Sequence, residues 1–175
     1  MSKATIKKLL KSMPKEDIIS MVLEMYDARK EAKEYLEFFA NPDEDAELEK
    51  YKKIIVEEFY PAKARQNPKL RFSECRKAVS DFRKLKPSAD KLADLMVCYV
   101  ETACQFTYEF GDMWEQYYCS VETNFDKTLE FLSKNNLLEQ FKPRLQKCVE
   151  WASRCGWGFA DTIEEIYFEY FPGMG

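Results

Sequence analysis

The sequence predicts an all-α protein, and three observations carry that prediction. Apolar residues recur at spacings of three and four along nearly the whole chain. Strand signals are weak: valine is sparse, and no Asn-Gly or Asp-Gly hairpin turn occurs. Glycine is rare, with five in 175 residues, and sits where helices would end. A chain of this length falls in the usual range for one domain and can bury a core without staples. The expectation is a single compact multi-helical domain over residues 1–175, with eight or nine mostly antiparallel helices. An irregular α-solenoid is the second arrangement.

The elements follow in order. A first helix fits residues 4–11, with Ile6, Leu9, Leu10 and Met13 on one side. Pro14 opens a second, with Glu16 and Asp17 at its positive end. Its face is Ile18, Met21, Val22, Met25 and Tyr26. A third covers 30–39, carrying Ala32, Tyr35, Leu36 and Phe39. In NPDED, Asn41 is the expected N-cap and Pro42 the first helical residue of a fourth helix ending at Phe59, before Pro61. PAKARQNPKL reads as a loop. Residues 71–85 form the next helix. A long one runs from Pro87-Ser88 to Phe110, with Gly111 at C′ and Asp112 as cap of a helix over 113–134. The stripe Trp114, Tyr118, Val121, Phe125 and Leu129 is core-spaced. Residues 137–154 follow, kinked or restarted by Pro143. The last helix spans 159–171. Between these two, Gly156 supplies the left-handed C′ residue and Gly158 a second turn. Trp157 then anchors the joint, with Asp161 or Glu101 as partner for its indole N–H.

Composition removes whole classes of chemistry. Hydrophobic residues at 46% and charged residues at 33% describe a globular chain rather than a disordered one. There is no histidine, which excludes Ser–His and Cys–His catalysis and every His-containing metal site. The six cysteines include no C-x-x-C pair, and they read as small buried hydrophobes in a reducing compartment. Phosphate-cradling glycine motifs are missing, and Gly156-Trp157-Gly158 follows no strand. No catalytic residue, metal site or cofactor is expected, and the reading leans away from an enzyme. The N-terminal segment lacks an apolar signal core, and no run approaches a membrane span. A cytoplasmic location without membrane contact is the expectation.

Two places remain where function is expected. The long central helix carries Glu101 among apolar neighbours, where a carboxylate is paired or protonated. A pocket around Tyr99, Glu101, Tyr108, Asp112, Trp157 and Asp161 is the candidate for ligand binding or carboxylate-based hydrolysis. The second place is a charge anomaly. Net charge is −4, yet residues 62–86 hold nine cations against Glu74 and Asp81. Residues 1–15 add five lysines and no acid. On the helix over 71–85, Phe72, Cys75, Val79, Phe82 and Leu85 face inward. Arg76, Lys77, Arg83 and Lys84 form an outer face read as free of acids. Such a face docks on an acidic partner, on a second copy, or on a phosphate backbone. The leading expectation is a non-enzymatic protein-interaction module with a protein partner or self-association. Nucleic-acid binding is the weaker alternative, because no base-stacking platform is visible.

Three stretches carry a family resemblance: KEYLEFFANPDED (33–45), DLMVCYVETACQFTYEFGD (94–112) and GWGFADTIEEIYFEYF (156–171). In this order they resemble a bacterial family of small all-α proteins of unknown function, over nearly the whole chain. The resemblance implies a single all-α domain and no mechanism. It marks Tyr99, Glu101, Thr102, Phe106, Thr107, Gly111, Asp112, Gly156, Trp157, Gly158 and Asp161 as positions of a site or of the helix joints.

Overall fold

The computed structural model describes residues 1–63, 66–156 and 158–172. Among them every regular element is a helix, and no strand occurs. The chain divides into two compact units, Met1–Asp43 and Glu44–Gly175. The first holds α1 (Lys3–Ser12), α2 (Lys15–Ala28) and α3 (Lys30–Ala40). Ser2 caps α1, its hydroxyl accepting the Thr5 N–H at 3.2 Å. Helix α2 packs on α3, where the Tyr26 hydroxyl donates to Glu37 at 2.8 Å and Lys33 lies over the Tyr26 ring. None of these three helices contains a fully buried residue.

The second unit holds α4 (Glu44–Phe59), α5 (Phe72–Lys84), α6 (Ala89–Phe110), α7 (Glu115–Lys134), α8 (Leu138–Ala152) and α9 (Phe159–Tyr170). Helix α6 is apolar around most of its circumference, so it sits at the centre. Helices α4, α5, α7 and α8 all pack against it, and α9 lies on α7 and α8. The core is aromatic. Tyr117 is fully buried, meets the edges of Phe59 and Phe72, and donates its hydroxyl to the Ala103 carbonyl at 2.8 Å. Each such ring removed from water contributes about 2–3 kcal/mol. Tyr118 and Phe159 join α7 to α9 with ring centroids 4.6 Å apart.

Polar contacts fix the joints. The buried Glu58 carboxylate receives Arg71 Nε at 3.0 Å, Nη2 at 2.6 Å and the Arg71 N–H at 3.2 Å, which closes the connection from α4 to α5. Those hydrogen bonds hold the Glu58 carboxyl below its usual range, although burial pushes it the other way. Glu44 accepts the Ser88 N–H at 2.9 Å, and Asp45 pairs with Lys91, so the starts of α4 and α6 are tied together.

Several joints differ from the sequence reading. Asn41 does not cap α4. It ends α3, giving its N–H to Glu37, and α4 starts at Glu44. Asp112 does not cap α7 either, since Trp114 takes that position and half-exposes its ring. Helix α8 runs through Pro143. The left-handed glycine of the last joint is Gly158, at φ +75°, rather than Gly156. Cys75, Cys98, Cys104 and Cys148 are buried as expected, whereas Cys119 is exposed.

Candidate functional site

Helices α5 and α7 both lie on α6 but hardly touch each other. A groove of about 580 Å³ opens between them. Its floor is Met96 and Tyr99 of α6. One rim is Arg76, Val79, Ser80 and Arg83 of α5, and the other is Asn124, Lys127, Thr128, Glu130, Phe131 and Lys134 of α7. A second hollow of about 400 Å³ continues along α7 towards Gln116, sharing Arg76, Asn124 and Lys127 with the first.

The rims follow from local helix geometry. Arg76 and Arg83 stand two turns apart on one side of α5, while Phe72, Cys75, Ala78 and Phe82 hold the other side in the core. On α7, Asn124, Lys127, Phe131 and Lys134 recur at three and four, next to the buried stripe of Val121, Phe125 and Leu129. Asn124 is oriented by its side-chain bond to the Ser120 carbonyl at 2.6 Å and reaches the Tyr99 hydroxyl at 3.5 Å. Burial raises the pKa of that hydroxyl, and the Arg76 charge opposes the rise. Tyr99 is therefore a neutral hydrogen-bonding group at physiological pH.

The cations differ in what neutralises them. Lys134 pairs with Glu130. Arg83 lies 5.9 Å from the Phe131 ring centroid and 3.6 Å from the Met96 sulfur, both uncharged. Among the described residues, Arg76, Arg83 and Lys127 form no ion pair with a carboxylate. The basic face read from the sequence is thus divided. Lys77 and Lys84 both donate to Asp81 at 2.6 Å, so that part of the outer face does carry an acid. Asp81 stands four residues after Lys77 and three before Lys84, within reach of both on one helix face.

The five described residues of the expected carboxylate pocket are distributed over different neighbours. Tyr99 belongs to the groove floor. Glu101 faces α8, accepting Arg144 Nε at 2.9 Å and Nη2 at 2.6 Å. Arg144 also meets Asp94 at 2.5 Å, and Lys52 of α4 reaches the same carboxylate at 2.8 Å. Burial pushes the Asp94 carboxyl up, but the Lys52 and Arg144 hydrogen bonds prevail and hold it below its usual range. Tyr108 is exposed beside the Trp151 ring and under Arg154. Asp112 accepts the Gly156 N–H at 3.2 Å and the Tyr118 hydroxyl at 3.3 Å. Asp161 is exposed in the first turn of α9. Trp157, and with it the partner expected for its indole, lies outside the described residues.

The positions that carry the resemblance meet partly at this corner. Thr107 donates to the Gly111 carbonyl at 3.2 Å and lies 3.2 Å from the Tyr118 hydroxyl and 3.7 Å from the Cys155 sulfur. The end of α6, the start of α7 and the end of α8 are thereby joined through Thr107, Asp112 and Tyr118. Among the described residues, no three Cys, Asp or Glu side chains cluster as a metal site.

Fold and groove together define an all-helical protein with a cation-rimmed surface groove and ion-paired half-buried carboxylates. No described helix is long and apolar enough to cross a membrane. The model of a family of unknown function, DUF6155, matches residues 1–171, and the chain belongs to that family. Comparison with curated proteins and with solved structures found no match.

Proposed function

We propose that the protein is a non-enzymatic interaction module whose working surface is the cationic groove between α5 and α7, and that an anionic partner fills it. One observation carries this reading. Arg76, Arg83 and Lys127 share a groove whose lining carboxylate among the described residues, Glu130, pairs with Lys134 and not with them, in a chain of net charge −4. Like charges held together repel, and an anion that enters between them removes the repulsion and gains charge-assisted hydrogen bonds. Arginine forks suit carboxylate and phosphate oxygens in particular. The half-buried carboxylates favour no acid–base role, because Glu101 and Asp94 are held by Arg144. Six free cysteines fit a reducing cytoplasm. Intact mass of freshly lysed protein checks that location, with every thiol free as the expected result and a disulfide as the contrary one.

Fluorescence anisotropy with labelled polyglutamate tests the groove itself. Binding is expected to weaken by about tenfold or more between about 50 and 200 mM salt. The double variant Arg76→Glu/Lys127→Glu is expected to abolish binding, while Lys84→Glu on the outer face leaves it within about twofold. Binding untouched by the double variant would contradict the proposal, as would failure to bind any polyanion.

A further inference from the structure

We infer that the occupant of this groove is an acidic amphipathic helix presented by a partner protein; this rests on the anion-binding reading above. The shape of the groove suits a helix. The groove is a trough between two helices with a third as floor, and an open hollow lined by α7 and Arg76 alone extends it at one end. Its lining on α7 runs from Gln116 to Lys134, which at a rise of 1.5 Å per residue is about 27 Å. A compact ligand would fill one half of such a trough, whereas a helix of about 18 residues fills its length.

The distribution of apolar and charged groups suits one too. Val79, Met96 and Phe131 give the trough an apolar lining, and the cations stand on its rims. Arg76 and Arg83 are seven residues apart on α5, and Lys127 faces them from α7, whose Lys134 is taken up by Glu130. The two arginines therefore repeat at about 10 Å along the axis of α5. A helix with acids two turns apart on its flanks and an apolar stripe between them presents the complementary pattern at the same repeat. Nucleic acid fits less well. Tyr99 is 3% exposed, and Arg83 lies over the Phe131 ring, so neither aromatic offers an open face to a base.

The test compares three labelled peptides of one length, about 18 residues. The first is an amphipathic helix with leucines on one face and glutamates seven apart on its flanks. The second is its isomer, in which a proline pair at the N-terminus of the first is moved to the centre, so that no helix forms. The third carries lysine for glutamate. The acidic helix is expected to bind about tenfold or more tightly than the proline isomer. Lysine replacement and the Arg76→Glu/Lys127→Glu variant are both expected to abolish that binding. Equal binding of the proline isomer overturns the helical occupant while leaving the anion-binding groove intact. No binding by either acidic peptide, nor by polyglutamate, overturns both. Tighter binding of bulk single-stranded RNA or DNA than of the acidic helix, lost in the same double variant, overturns the protein partner in favour of nucleic acid.

Discussion

At the scale of single residues, the glycines at the helix joints do different work. Gly158 has φ +75° and open space where a Cβ would stand, so the obstacle to a side chain there is the backbone conformation alone. Gly158→Ala is expected to cost about 1 kcal/mol in a denaturant melt. Gly111, at φ +91° and ψ −168°, occupies a region almost reserved for glycine, and Gly111→Ala is expected to cost about 2 kcal/mol. At Gly156 a Cβ would meet the Asp112 carboxylate at 3.5 Å, an ordinary contact, on a backbone without positive φ. Gly156→Ala is expected to stay within about 0.5 kcal/mol of wild type, and a larger loss than at Gly158 would refute this division of roles. The sequence reading gave the left-handed position to Gly156 and a second turn to Gly158. Which of them is left-handed depends on how α8 ends, at Ser153 in right-handed geometry, and that is not written in the residue types. Glu101 shows the same limit. Its apolar neighbours on α6 announced a paired or protonated carboxylate; it is paired, and the partner comes from α8, 43 positions away.

At the scale of elements, the seams on α6 decide stability. Arg144 holds Asp94 and Glu101, which stand two turns apart on the central helix, and Lys52 shares Asp94. Removing Arg144 leaves two half-buried carboxylates short of a cation, so Arg144→Met is expected to cost about 2 kcal/mol. The folded state lowers the Asp94 pKa below its ordinary 3.8. A depressed carboxylate stabilises the fold above its unfolded pKa, and that stability is lost as pH falls through the folded pKa. The stability gap between wild type and Asp94→Asn should therefore be full at neutral pH and close below about pH 4. A gap that widens on acidification would be the contrary result. Tyr117→Ala, which empties the centre of the aromatic core, is expected to cost about 4 kcal/mol. The helices themselves were legible because the 3.6-residue period is local and strong. Their starts were less so: Asn41 satisfies the chemistry of an N-cap, yet it closes α3, and α4 starts three residues later at Glu44.

At the scale of the whole molecule, the central feature is an excess of positive charge at one groove of an acidic chain. Half of it was legible, because Arg76 and Arg83 stood out in a stretch rich in cations. The other half was present as a pattern, Asn124, Lys127, Phe131 and Lys134 on one face of α7, but the aromatic core stripe beside it was the stronger signal. That the two faces border one groove follows from both helices packing on α6, a non-local fact. The Asp81 pairs were within local reach and still change the conclusion, since they remove Lys77 and Lys84 from the unneutralised set. The most direct measurement of the account is an amide and methyl NMR titration of the full chain with polyglutamate. Shifts are expected at Val79, Met96, Asn124 and Phe131, saturating with added probe and vanishing at high salt. Shifts gathered instead around the lysines of α1 or around Lys77 and Lys84, with the groove unmoved, would contradict it.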